Sequence, residues 1–236
     1  MIRKRFFIFT IYLDMCILCL LIDLIELIIV NKSSSEIVQG DKTGDTPLSE
    51  TIKAYLKEKY QKPGNVFLGV VHRLDRPVSG LVVFAKTSKA LARMNAMVQQ
   101  REFHKTYWAI VHQAPNPLSG SCDNWLVRNE RMNKSFVCDE HTQGAKRALL
   151  DYRVVATSKG GYHLVEVQLH TGRHHQIRCQ LAHLGCPIKG DLKYGAPRSN
   201  ADGSISLNAH SIEFCHPISH QTVLITAPWS EVERFR

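Results

Sequence analysis

At 236 residues, with 44% hydrophobic and 22% charged side chains, the chain can bury one substantial core and is too apolar to be disordered throughout. Its net charge of +9, histidines counted neutral, favours an anionic partner, either nucleic acid or a membrane surface. The seven cysteines, at 16, 19, 122, 138, 179, 186 and 215, are odd in number and scattered, which excludes a disulfide-stapled scaffold and fits a reducing compartment.

In chain order, the first segment is the least typical. After Arg3, Lys4 and Arg5, residues 6–30 are almost wholly apolar. A membrane helix here would carry Asp14, Asp23 and Glu26, each costing roughly 2.5 to 3.5 kcal/mol near a bilayer centre. No small-residue cleavage site for a signal peptide is evident. Cys16 and Cys19 form a CxxC with no second pair to complete a zinc site, so they count as apolar residues. The preferred organisation is an atypical leader over residues 1–22 and one main domain over 23–236, entered through a buried strand at Leu27–Val30.

Residues 31–47 are rich in Ser, Gly, Asp and Thr and predict a loop. Leu48, Ile52, Tyr55 and Leu56 recur at helical spacing, with Ser49 as the expected cap, and Lys62 to Asn65 stop that helix. Val66–Val71 and Leu81–Phe84 are apolar enough for strands. Ser88 is expected to cap a helix reaching Gln100, with Leu91, Met94 and Val98 facing inward. Strands are expected again at 105–111, 149–156 and 162–169, the last two separated by the Ser158–Gly161 turn. A helix over 174–184 ends at Gly185, and Val223–Thr226 is a final strand. Many strands, few helices and no regular βαβ alternation predict an α+β fold with a largely antiparallel mixed sheet. There is no internal repeat, and neither a GxGxxG nor a P-loop is present to support nucleotide-dependent chemistry.

Three segments carry the candidate chemistry. From Val71 to Gly80 the chain reads VHRLDRPVSG, a polar turn with one acid, Asp75, between Arg73 and Arg76, set between two apolar strands. Catalytic groups are commonly placed on such loops over a rigid scaffold, although an ordinary surface ion pair gives the same pattern. From Leu169 to Arg178 the chain reads LHTGRHHQIR, placing Arg173 and Arg178 at the mouth and early turns of a helix, where guanidinium groups reach phosphate or carboxylate. In the strand from Lys105 to Val111, alternation sends Tyr107 and Trp108 to opposite faces. His175, Cys179 and His183 share a helix face and suggest a zinc row, but they span about 12 Å at 1.5 Å rise per residue, too far for one tetrahedral ion.

Taken in order, these segments resemble the RluA-type family of RNA pseudouridine synthases. HRLD, a following Ser-Gly and an apolar run ending in AKT occupy His72 to Thr87. KxYxAxV occupies Lys105 to Val111, TGRxHQIR occupies Thr171 to Arg178, and GDxxYG occupies Gly190 to Gly195. A closing set of His210, Phe214, His216, Pro217, Ala227 and Pro228 completes the resemblance, which covers roughly residues 27 to 230.

The resemblance implies a pseudouridine-synthase catalytic domain that isomerises uridines of ribosomal or transfer RNA, in the cytoplasm, without metal or other cofactor. Asp75 matches the catalytic aspartate, which attacks either ribose or uracil. Tyr107 matches the tyrosine that stacks on the target base, Arg178 the arginine paired with the aspartate, and Arg73 the arginine that fills the space left by the flipped base. His72, Arg76, Lys105, Arg173 and His175 are the further expected RNA contacts. The chemistry suits these residue types: a carboxylate kept ionised in a closed site needs an opposing guanidinium, because burial alone favours the protonated form. The expected partner is structured RNA rather than DNA, bound by a monomer with no stable membrane association.

Departures are also visible. The family's first motif is usually Asn-Lys-Pro with a glycine soon after, whereas this chain has Asn31, Lys32, Ser33, Ser34 and Ser35, so a looser loop is expected. Gln180 and Cys186 stand at positions that are often histidine. Two rival classes are an RNA-binding protein that keeps the fold without turnover, and a membrane-anchored zinc hydrolase. Measuring modified uridine separates the first from an enzyme, and metal content with lipid partition identifies the second.

Overall fold

The computed structural model describes residues 21–41 and 43–235. The first part of the chain forms strands β1 (Leu21–Asp23) and β2 (Leu27–Lys32), helix α1 (Leu48–Lys59), strands β3 (Gly69–Val70) and β4 (Ser79–Ala85), and helix α2 (Ser88–Gln100). Then come strands β5 (His104–Val111), β6 (Ser119–Asn129), β7 (Lys134–Cys138), β8 (Lys146–Thr157) and β9 (His163–Leu169), and helix α3 (Gln176–His183). A 3-10 turn at Leu192–Tyr194, strands β10 (Leu207–Cys215) and β11 (Thr222–Thr226) and a 3-10 segment at Ser230–Phe235 complete the chain.

Strands outnumber helices and the described registers are antiparallel, which is the α+β class expected. Most of the expected leader, including Cys16 and Cys19, lies outside the described residues. No helix among the described residues is long and apolar enough to cross a membrane. The domain is built from two compact units: the described residues up to Phe103 with Ser211–Ala227, and His104–His210 with the residues from Pro228 onward.

In the first unit, β2 lies between β1 and β4, and β3 also pairs with β4. Strand β4 is buried on both faces from Gly80 to Ala85, so it is a continuous apolar run rather than an alternating one. Its side chains join Leu27, Ile29, Ala90, Met94, Phe103, Ile212 and Phe214 in one core. Helix α2 packs there through Ala90 and Met94, while Val98 is exposed, so the buried face is turned relative to the expected Leu91, Met94 and Val98 stripe. Its cap is Thr87, whose Oγ1 accepts from the Ala90 N–H at 3.1 Å, rather than Ser88. At α1 the N-cap is Pro47, and Ser49 is buried in the first turn instead of capping it. The expected strand at Val66–Val71 shrinks to Gly69–Val70.

In the second unit, β5, β9, β8, β6 and β7 are joined in that order. The sequence reading did not anticipate β6 and β7. Strand β6 buries only Cys122 and Leu126, too few apolar positions to produce an alternating signal, and it is held by its register with β8 instead. Helix α3 leaves the end of β9 through residues 170–175 and begins at Gln176, two residues later than expected, because His175 adopts a left-handed backbone with φ 53°.

Candidate functional site

In the first unit the acid-bearing turn lies between β3 and β4. Leu74 and Val78 are buried beneath it, Asp75 is half-buried between them, and Arg73 and Arg76 are exposed. This apolar-polar alternation anchors the turn from below and presents its charges outward. The Val78 N–H donates to the Asp75 carbonyl at 3.1 Å, closing the turn. His72 does not simply face solvent: its Nε2 accepts from the Val83 N–H at 3.3 Å, and its ring lies 5.5 Å from that of Phe103. Arg76 pairs with Asp45.

The serine run is tied down rather than loose. The Ser35 N–H donates to the Arg76 carbonyl at 3.0 Å, and the Ser33 N–H donates to the Glu36 carboxylate at 2.8 Å. Ser35 takes φ 75°, a left-handed backbone in which glycine alone has no steric penalty. Beyond the loop, the Leu48 N–H donates to the Ile37 carbonyl at 2.8 Å and joins it to α1.

In the second unit the mouth of α3 is built by side chains bonding to main chain. Thr171 Oγ1 accepts from the Leu149 N–H at 2.8 Å and donates to Gln176 Oε1 at 2.8 Å. The same Oε1 accepts from the Arg173 N–H at 3.0 Å, and Gln176 Nε2 donates to the Leu149 carbonyl at 3.1 Å. The turn is thereby fixed to β8. Gln180, one turn further, donates through Nε2 to the Ala148 carbonyl at 3.0 Å and to Asn124 Oδ1 at 2.9 Å, so an amide serves where a histidine is more usual.

Arg178 projects from this helix into the interior, with only 5% of its surface exposed. Its Nε donates to Asp191 Oδ2 at 2.7 Å and its Nη2 to Asp191 Oδ1 at 2.8 Å, a bidentate pair whose acid is 2% exposed. The guanidinium carbon lies 5.1 Å from the Tyr194 ring centre. Asp191 can occupy this place because Gly190 has φ 88°, and a Cβ there would come within 2.7 Å of the Ser204 carbonyl.

Tyr194 is itself held. Its hydroxyl accepts from the Ser135 N–H at 2.9 Å, donates to the Ser135 carbonyl at 3.2 Å and lies 3.1 Å from His175 Nδ1. A hydroxyl has one proton to give, so with Ser135 receiving it, His175 donates from Nδ1. Burial, and then the Arg178 charge, push the His175 pKa down to about 2, and burial pushes the Tyr194 hydroxyl upward. Both are therefore neutral at physiological pH.

The other expected residues are placed as follows. Tyr107 is buried at 6% exposure on β5, while Trp108 takes the opposite side and stacks on His210 with ring centres 3.4 Å apart. Lys105 is half-buried, and burial lowers its ammonium pKa. Arg173 is exposed, and its Nε donates to the Arg147 carbonyl at 2.9 Å. His175, expected among the RNA contacts, is turned inward to Tyr194. Along the suggested zinc row, Cys179 donates to the Ser135 carbonyl at 3.3 Å, His175 faces Tyr194, and His183 is exposed.

Sequence reasoning passed over Asp191, Tyr194 and Lys32 as working residues, although all three lie in motifs it had noted. The signal available was the GDxxYG spacing, which pairs a positive-φ glycine with an acid and an aromatic, but spacing does not say which cation they hold.

The family model described as RNA pseudouridylate synthase matches residues 26–183. An uncharacterized RNA pseudouridine synthase of Synechocystis is 31% identical over 209 residues, covering 86% of this chain and 63% of that protein. The ribosomal large subunit pseudouridine synthase D of Xylella fastidiosa is 34% identical over 176 residues, covering 69% and 52%. The chain thus spans about half to two thirds of the length of these relatives. The solved human RNA pseudouridylate synthase domain containing 4 shares the fold, with a TM-score of 0.73 at 23% identity over 89% of this chain and 90% of that one.

Proposed function

This chain belongs to the RNA pseudouridylate synthase family, and we propose that it is itself an isomerase that converts uridines of structured RNA to pseudouridine. The observation that carries this reading is the family match over residues 26–183, because that span includes both the Asp75 turn and the caged Arg178.

In this reading Asp75 is the catalytic carboxylate, attacking ribose or the uracil ring. The bond from ribose to ring nitrogen breaks, a bond from ribose to ring carbon forms, that carbon gives up its proton while the freed nitrogen takes one up, and the bond made by Asp75 is broken again, so no oxidant or reductant is needed. Arg178 has five N–H donors, of which the pair with Asp191 uses two. We assign Arg178 to the Asp75 carboxylate, where a guanidinium favours the ionised form. Tyr107 stacks on the base and holds it while the ring turns, and it assists proton transfer.

The target nucleotide must leave its helix, at a cost of about a few kcal/mol, and Arg73 fills the space it vacates. Phosphate contacts from Arg76, Lys105 and Arg173, supported by the +9 charge, offset that cost. His72 completes the acid-bearing turn, while His175 serves the same interface from within by holding the helix mouth. Ribosomal RNA is the favoured substrate, following the printed name of the Xylella relative, with transfer RNA next. Cytoplasmic action as a monomer completes the proposal.

The test is direct. The protein is incubated with bulk cellular RNA and pseudouridine is counted. Asp75→Asn is expected to lower conversion by about 10⁴-fold or more while RNA binding persists. An Asp75→Asn variant of undiminished activity would refute the assignment.

A further inference from the structure

At the end of β4 far from the Asp75 turn, three lysines gather around one carboxylate and one tyrosine. Asp23 ends β1, Lys59 ends α1 with Tyr60 and Lys62 just beyond it, and Lys86 follows β4, so three elements of the first unit meet there. Asp23 Oδ2 accepts from Lys59 Nζ at 2.8 Å and from the Tyr60 hydroxyl at 2.6 Å, while Oδ1 accepts from Lys86 Nζ. The Lys59, Lys62 and Lys86 ammoniums lie 5.6, 5.9 and 5.3 Å from the centre of the Tyr60 ring. Extended chain rises about 3.3 Å per residue, so the length of β4 sets this cluster about 25 Å from the turn.

The charges here do not balance. Elsewhere on the surface cations meet acids one to one: Arg76 with Asp45, Arg147 with Asp123, and Arg153 with Glu166. Asp23 instead faces three ammoniums, and among the described residues no carboxylate lies within ion-pair distance of Lys62. A fastening of β1 to β4 is complete with the Asp23–Lys86 pair, whose side chains are 10% and 12% exposed. Lys59, Tyr60 and Lys62 are left facing solvent. Burial pushes the Asp23 carboxyl up, but its bonds from Lys59, Lys86 and Tyr60 outweigh this and hold it low, and the bond to Asp23 raises the Lys59 ammonium. Both groups are therefore ionised at neutral pH.

We propose that Lys59, Tyr60 and Lys62 form a second RNA-contact surface, which holds backbone phosphates of the substrate well outside the loop that enters the catalytic turn. This deepens the functional reading given above and rests on it for the identity of the partner: the substrate class becomes RNA long enough to run from the Asp75 turn along β4 to this cluster. Ammonium groups suit phosphate as point charges, and the exposed Tyr60 ring offers a face on which an unpaired base can stack. Charge alone suits an anionic bilayer equally, but the family to which the chain belongs acts on RNA.

The test is the salt dependence of binding between the full chain and bulk transfer RNA. Lys62→Gln should make the slope of log affinity against log salt shallower by about 0.7 to 0.9, the loss of one phosphate contact, and Lys59→Gln with Lys62→Gln by about twice that. Lys159→Gln removes the same charge from the exposed Ser158–Gly161 turn of the second unit and should leave the slope as it is. A slope unchanged in Lys62→Gln overturns the inference, and so does an equal drop in Lys159→Gln, because net charge would then be the whole effect. Lys62→Gln leaves every bond to Asp23 in place, so the single variant decides the matter if the double one does not fold. Vesicles of phosphatidylserine and phosphatidylcholine test the rival partner: vesicle binding that Lys62→Gln abolishes, with the RNA slope unmoved, overturns the assignment to RNA. The readout is binding and not turnover, so the two readings fail separately. If no pseudouridine forms but the slope falls, the surface stands and the catalytic reading fails; if pseudouridine forms and the slope holds, the inference alone fails.

Discussion

The Asp75 turn and the Arg178 helix mouth each hold a charge in place, but with different materials. The turn is tied by main-chain groups: the Val78 and Ser35 N–H bonds and the three carbonyls around Lys32. Arg178 is caged mainly by side chains: Asp191 on one edge, the Tyr194 ring against it, and the His175 ring behind Tyr194, with only the Ser135 main chain adding to them. Main-chain ties survive most substitutions along the turn itself, so a run of serines can hold the loop through its N–H and carbonyl groups. A side-chain cage has no such tolerance, because each member is one substitution from being lost. Sensitivity to mutation should therefore be concentrated around Arg178 and be milder along residues 33–36.

The strongest way to break this contrast is Asp191→Ala. Removing the acid leaves a buried guanidinium without its bidentate partner, and such half-pairs cost about 3 to 5 kcal/mol. Denaturant unfolding should show that loss, whereas Ser34→Ala, at a position for which no side-chain bond is described, should change stability by less than about 0.5 kcal/mol. Equal losses in the two variants would remove the distinction.

Tyr194→Phe keeps the ring over Arg178 but takes the hydroxyl from the Ser135 N–H and the His175 Nδ1–H inside the protein, and leaves the Ser135 carbonyl with the weaker Cys179 thiol donor. Unsatisfied buried groups of this kind cost about 1 to 3 kcal/mol, so this variant should fall between the other two in unfolding free energy. A value near zero would mean that the ring alone makes the cage.

How much of this was legible beforehand follows from the same difference in materials. The α+β class and strands such as β4 and β9 were readable because burial leaves an apolar or alternating pattern in the sequence. Strands β6 and β7 were not, since their stability lies in pairing rather than in pattern. The α2 cap was off by one residue because Thr87 and Ser88 are chemically equivalent as caps and only the backbone decides between them. Among the site residues, Asp75, Tyr107 and Arg178 stood out through their motifs. Lys32 did not, because nothing in its type or spacing says that a lysine will point inward to three carbonyls. Asp191 was likewise noted only as part of a motif, since its partner lies thirteen positions away and a bidentate geometry has no sequence signature.

The finest test of the cage is acid. His175 has a folded pKa near 2 against an ordinary 6.5, so between those values the unfolded chain binds a proton that the folded one does not. Its contribution to stability is complete above about pH 6.5 and is lost as pH falls, by up to about 1.4 kcal/mol for each unit below that. His175→Gln removes the titrating ring, so its unfolding free energy should decline less steeply than the wild type's between pH 6.5 and 5, even if it starts lower at pH 7. In the Asp75 turn the Val78, Ser35 and Lys32 donors end on peptide carbonyls, which do not titrate, and Lys32 changes charge only in the alkaline range. If the wild type and His175→Gln lose stability in parallel over that interval, His175 takes up its proton without disturbing Tyr194, and the cage is looser than its distances imply.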